Sequence, residues 1–65
     1  MVSEQKHDDT RFDGGQLRQM RIKNGLHQHQ LAARLDINQG RISEYESGQK
    51  LIPLKLAIRI KEILN

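Results

Sequence analysis

No cysteine occurs anywhere in this chain of 65 residues, and at such a length that is the tightest constraint on how it can fold. Neither a disulfide framework nor a thiolate zinc site can hold it together. A domain this small buries only about 60% of the surface its unfolded form exposes, so its core must come from closely packed apolar stripes, a second subunit, or both. The chain carries one Tyr, one Phe and no Trp. None of its apolar runs approaches the roughly 20 residues that a membrane-spanning helix needs. The opening Met1-Val2-Ser3-Glu4-Gln5-Lys6 lacks the apolar stretch of a secretion signal. The expectation is one small domain that stays in the cytoplasm.

Charge divides the chain unevenly. Residues 1–13 hold two basic and four acidic side chains, a balance of −2, whereas residues 14–65 hold nine basic and four acidic, a balance of +5. Residues 1–12 also show no apolar period, so they read as a mobile acidic tail ahead of a basic body at 13–65. Such a body favours a polyanionic partner over a pocket for an acidic substrate. Five surplus charges also serve solubility, and charge alone leaves the two readings level.

The body reads as four helices and no strand. Asp13 with Gln16 three residues on is a capping-box variant, Leu17 and Met20 share a face, and Gly25 supplies a left-handed stop, giving a helix at about 14–24. Leu26 is placed to fold back on it. A second helix at 28–35 carries Leu31, Ala32 and Leu35, with His27 where Ser or Thr would cap better. Asp36-Ile37 turns the chain into Asn38, a good N-cap for a third helix at 39–46 that buries Ile42 and Tyr45 and stops at Ser47-Gly48. Pro53 takes the first position of a fourth helix at 53–64, where a missing N–H costs nothing. Leu56, Ile60, Ile63 and Leu64 supply its packed stripe.

Two short helices joined by so few residues make a helix-turn-helix. Ala32 is small where the two must cross closely, and Ile37 plugs the turn. The outward residues of the second of these helices are Gln39, Gly40, Arg41, Ser43 and Glu44, all but Gly40 with hydrogen-bonding side chains. Over residues 14–64 the chain resembles the Cro and λ-repressor-like (XRE) helix-turn-helix domains. The likeness rests on Leu17-Arg18, Arg21, Gly25-Leu26-His27-Gln28, Leu31-Ala32, Leu35, Ile37, Ile42-Ser43, Glu46, Gly48 and Pro53, in that order and spacing. It implies an all-α, compact four-helix bundle or a truncated five-helix one, because many members continue into a fifth helix beyond the point where Asn65 stands.

The resemblance also implies double-stranded DNA as partner, with helix 39–46 in the major groove. Its base readers are then Gln39, Arg41 and Glu44: Gln suits adenine, Arg guanine, and a carboxylate can accept from cytosine. Arg41 on a phosphate and Glu44 as a solvated helix residue stand beside that reading. Gln28, Asn38, Ser43 and Lys50 are the phosphate candidates. Arg21 and Glu46 match a family ion pair between the first and third helices, against the simpler view of two solvated side chains. Gly40 leaves one base step unread and costs about 1 kcal/mol of helix propensity. Asp36 stands where the family's turn glycine stands, and Asp tolerates the left-handed conformation.

Other chemistry finds little support. His27 and His29 are two residues apart, a spacing that does not face a common ligand on a helix, so no metal is expected. No nucleophile–base pair, phosphate loop or acid pair points to an enzyme, and no cofactor is implied. The reading is a sequence-specific transcriptional regulator of the nucleoid, a small homodimeric repressor on a pseudo-palindromic site. The alternative is an antitoxin-type interaction module that uses the same domain to hold a protein such as a toxin. Leu51, Ile52, Leu54 and Ile58 remain after the core is packed, with Leu54 and Ile58 as a second stripe, and they are the expected dimer interface.

Overall fold

The computed structural model describes residues 12–64. The tail expected over residues 1–12 lies outside that range apart from Phe12, as does Asn65. Among the described residues there are four helices and no strand: α1 Gly14–Lys23, α2 Gln28–Leu35, α3 Gln39–Ser47 and α4 Leu54–Leu64. The architecture is the all-α helix-turn-helix bundle.

Local chemistry sets both ends of these helices. Asp13 and Gln16 form a reciprocal capping box: the Asp13 carboxylate accepts from the Gln16 N–H at 2.9 Å, and the Gln16 side chain accepts from the Asp13 N–H at 3.0 Å. Asn38 caps α3 by accepting from the Gly40 N–H at 2.7 Å. The caps of α2 and α4 are plainer. At α2 only half a box forms, with Gln30 Oε1 accepting from the His27 N–H at 2.7 Å. At α4 the helix begins at Leu54, so Pro53 sits one place ahead of the expected position and its carbonyl accepts from the Ala57 N–H at 2.9 Å.

Three helices stop by one device. Gly25, Asp36 and Gly48 adopt φ of 71°, 60° and 84°, and each is flanked by the paired backbone bonds of a Schellman turn. At Gly25 these are Leu26 N–H to the Arg21 carbonyl and Gly25 N–H to the Ile22 carbonyl. At Gly25 and Asp36 the left-handed residue reverses the chain so that the next side chain lands on the core, whereas Gln49 after Gly48 is exposed. Leu26 and Ile37 both follow such a residue, and both pack inward.

The core is a single cluster of Leu17, Leu26, Leu31, Ala32, Leu35, Ile42, Tyr45, Leu56, Ile60 and Leu64. Helix α3 packs on both α1 and α2, and α4 closes against α1. Phe12 packs partly buried against this cluster, with the Lys61 ammonium 5.4 Å from its ring centre. Phe12, read from the sequence as part of the tail, thus has apolar surface to bury and a cation to meet. Asn24 ties the ends of α1 and α4 together by donating to the Met20 and Leu64 carbonyls at 2.7 and 3.1 Å.

One approach is closer than any side chain permits. A Cβ built on Gly14 would stand 2.0 Å from the Tyr45 carbonyl oxygen and 2.9 Å from the Glu46 Cα. The first turn of α1 is thus pressed against the backbone of the last turn of α3. This contact fixes the depth at which α3 sits.

Candidate nucleic-acid interface

Helix α3 is divided cleanly between its two sides. Ile42 and Tyr45 are buried, while Gln39, Gly40, Arg41 and Ser43 are exposed and Glu44 is half-buried. These four exposed residues fall in the first half of the helix, directly after the Asn38 cap, and Ser47 is exposed at its far end. Asn38 commits its side-chain oxygen to that cap and keeps its amide N–H groups for other partners.

Behind this surface lies the polar anchor of the fold. Arg21 donates from Nε to Glu46 Oε2 at 2.6 Å and from Nη2 to Oε1 at 2.9 Å, a two-pronged pair that matches guanidinium to carboxylate geometry. Its Nη1 donates to the Leu26 carbonyl at 2.9 Å. The two side chains are only 11% and 6% exposed, so this is a shielded pair that positions α3 on α1. The hydrogen bonds to Glu46 raise the Arg21 pKa above its ordinary value despite the opposing effect of burial. A raised arginine pKa stabilises at every pH below arginine's own titration and is lost only as pH rises through it, so this contribution is constant across the neutral range.

Gln28 joins the same network, donating from Nε2 to Glu46 Oε1 at 3.1 Å. Its side chain is therefore not simply free to grip a phosphate: one amide hydrogen holds α2 to α3, and the other remains. Lys50 and Glu44 lie 3.7 Å apart at the surface, with side chains 61% and 38% exposed. An exposed pair of this kind is worth about 0–1 kcal/mol and separates easily. His27 and His29 stack, with ring centres 5.6 Å apart and planes within 7°. Helical spacing does not keep these rings apart, because His27 precedes the helix on extended backbone. Among the described residues no three His, Cys, Asp or Glu side chains gather as a metal site would require.

The residue that sequence reasoning does not single out is Arg18. It is exposed on α1 and lines a cleft with Arg21, Gln28, Ser43, Glu46 and Ser47. Its signal was a cation three residues before Arg21, which means little until α1 is seen to meet the start of α2 and the middle of α3.

The helix-turn-helix family model matches residues 17–65, three quarters of the chain. The chain belongs to the XRE-type helix-turn-helix family. It is 34% identical over 56 residues to a protein of Pyrococcus furiosus and 31% identical over 56 residues to one of Pyrococcus abyssi. Both carry the name of an HTH-type transcriptional regulatory protein. Each match covers 86% of this chain but only 18% of the relative. No solved structure matches it significantly.

Of the four apolar residues expected at a dimer interface, three are exposed. Leu51, Leu54 and Ile58 are 87%, 76% and 49% exposed, but Ile52 packs partly buried against the core. Leu51, Ile52 and Leu54 line one groove with Phe12, Tyr45 and Ala57. Ile58 borders a second hollow with Met20, Lys61 and Glu62. Leu54 and Ile58, four residues apart on α4, lie one turn from each other and are both exposed. No helix is long and apolar enough to cross a membrane among the described residues.

Proposed function

We propose that this domain binds double-stranded DNA sequence-specifically, laying α3 in the major groove, and acts in the cytoplasm as a homodimeric transcriptional repressor. The observation that carries this reading is the exposed polar start of α3, held rigidly from behind by Ile42, Tyr45 and the Arg21–Glu46–Gln28 network. A helix of this kind presents side chains to base edges at fixed depth. Gln39 and Arg41 read adenine and guanine, and Glu44 accepts from cytosine with Lys50 at hand to offset its repulsion from the DNA backbone. Gln28, Asn38, Ser43 and Lys50 contact phosphates, which fix register without reading sequence.

Selection from a random duplex library tests the reading directly, and enrichment of a pseudo-palindrome is the expected result. On the selected site, Arg41→Ala should cost about 1–3 kcal/mol at one base pair of each half-site and relax the preference there. Lys50→Ala should weaken all duplexes about equally. Equal weakening of every duplex by both variants would remove Arg41 from the base readers. Recovery of a protein partner with no enriched duplex would favour the antitoxin-type role instead.

The dimer would form through Leu51, Leu54 and Ile58, with Ile52 contributing at the edge. Two such domains place half-sites about 34 Å apart. Sedimentation of Leu54→Glu/Ile58→Glu should show monomers that bind the palindrome weakly. A folded double variant with the mass and affinity of the parent would exclude this surface.

A further inference from the structure

We infer that Asn24–Gly25 is a site of spontaneous covalent modification, at which loss of the side-chain amide to aspartate or isoaspartate unties α4 from α1. The pair stands exposed where α1 ends. Its nucleophile is the Gly25 backbone nitrogen, and glycine has no Cβ to hinder the approach. That nitrogen attacks Cγ of Asn24, and the new N–Cγ bond closes a five-membered imide. The amide nitrogen leaves as ammonia, carrying the proton that the Gly25 nitrogen gives up. Water then opens the imide at either carbonyl. Opening at Cγ leaves aspartate; opening at the main-chain carbon leaves isoaspartate, with the chain rerouted through the side chain. Asn38 is followed by Gln39, whose bulk obstructs the same attack.

The fold holds this reaction in check. Asn24 Nδ2 donates to the Met20 and Leu64 carbonyls at 2.7 and 3.1 Å, so the leaving group is secured at both helix ends. The Gly25 N–H is itself engaged with the Ile22 carbonyl at 2.9 Å. Ring closure also needs the Gly25 nitrogen eclipsed with the Cβ of Asn24, and a ψ of 6° at Asn24 sets the two well apart. These restraints release together only when the helix end opens, so the reaction draws on locally opened molecules. The product cannot remake the tie. Both partners of Asn24 are carbonyls, so only a donor serves there, and a carboxylate brings acceptors alone. It also sets a negative charge at the C-terminal ends of two helices, where anions are unfavourable. Isoaspartate further lengthens the main chain inside the Schellman turn at Gly25.

The test is incubation of the chain in mildly alkaline buffer, folded and in guanidinium chloride, with intact mass and isoaspartate mapping as readouts. Conversion should fall on Asn24 ahead of Asn38, and unfolding should speed it by about tenfold or more. Asn24→Ala should abolish the early mass change. Denatured chains that convert at Asn38 as fast as at Asn24 overturn the site. Equal rates in folded and denatured chains overturn its control by the fold. The consequence is measured by thermal melting of Asn24→Asp, the product made directly. It should melt about 10 °C below the parent, and Asn24→Ala about 5 °C below, since alanine loses the donor without adding a charge. An Asn24→Asp chain that melts no lower than Asn24→Ala overturns the untying by charge.

Discussion

Glu46→Ala should lower the stability of this domain by about 3 kcal/mol or more, the usual result of stranding one member of a shielded ion pair. Arg21 would keep only its bond to the Leu26 carbonyl, with the rest of a nearly buried guanidinium unmatched. Gln28 would lose its partner at the same time. For a domain of this length such a loss lowers the thermal midpoint by at least about 12 °C. Urea unfolding measures it directly. Replacing both ends, Arg21→Met with Glu46→Leu, should restore most of the stability, because no charge is then left without a partner. A loss under about 1 kcal/mol in Glu46→Ala would show that the pair behaves like one at the open surface.

Gly14→Ala is the second large effect, and it runs against intrinsic preference. Alanine favours a helix over glycine by about 1 kcal/mol. Here the added methyl would meet backbone atoms of Tyr45 and Glu46 that no rotamer change can move. The first turn of α1 must lift from α3, and a net destabilisation of about 3 kcal/mol is expected. Gly15→Ala is the matched comparison. Its Cβ would come no closer than 3.4 Å, to the Asp13 carboxylate, so propensity should dominate and the variant should gain up to about 1 kcal/mol. If the two substitutions shift the denaturation midpoint alike, the close approach at Gly14 has no energetic weight.

These two cases also mark where sequence reading succeeds and where it stops. Helix ends were legible because their causes are local: the Asp13–Gln16 box, the Asn38 cap, and left-handed stops at Gly25, Asp36 and Gly48 involve residues within five of one another. The inward faces followed from spacing, with Ala57 the one buried residue of α4 that the stripe of larger side chains leaves out. Arg21 and Glu46 are 25 residues apart, so their pairing could be read only from resemblance to a known pattern. Nothing near Gly14 in the chain announces that Tyr45 will lie against it. The same distance problem hides the cleft that Arg18 shares with Gln28 and Ser43, since it depends on which helix arrives alongside.

The division of α3 has a further consequence for how such a protein can change. Gln39, Gly40 and Arg41 take no part in the core, and their side chains form no hydrogen bond that holds the helices together. The residues that secure the helix, Ile42, Tyr45 and Glu46, look the other way. Under the proposed DNA-binding role, target preference and foldedness are written in separate letters of the same short helix. On that proposal, Gln39 and Arg41 can be rewritten to address a different sequence while the domain melts at nearly the same temperature, whereas a side chain at Gly40 would press on the Asn38 cap. Retargeting is then limited by which new contacts can be made, and hardly at all by whether the protein survives the change.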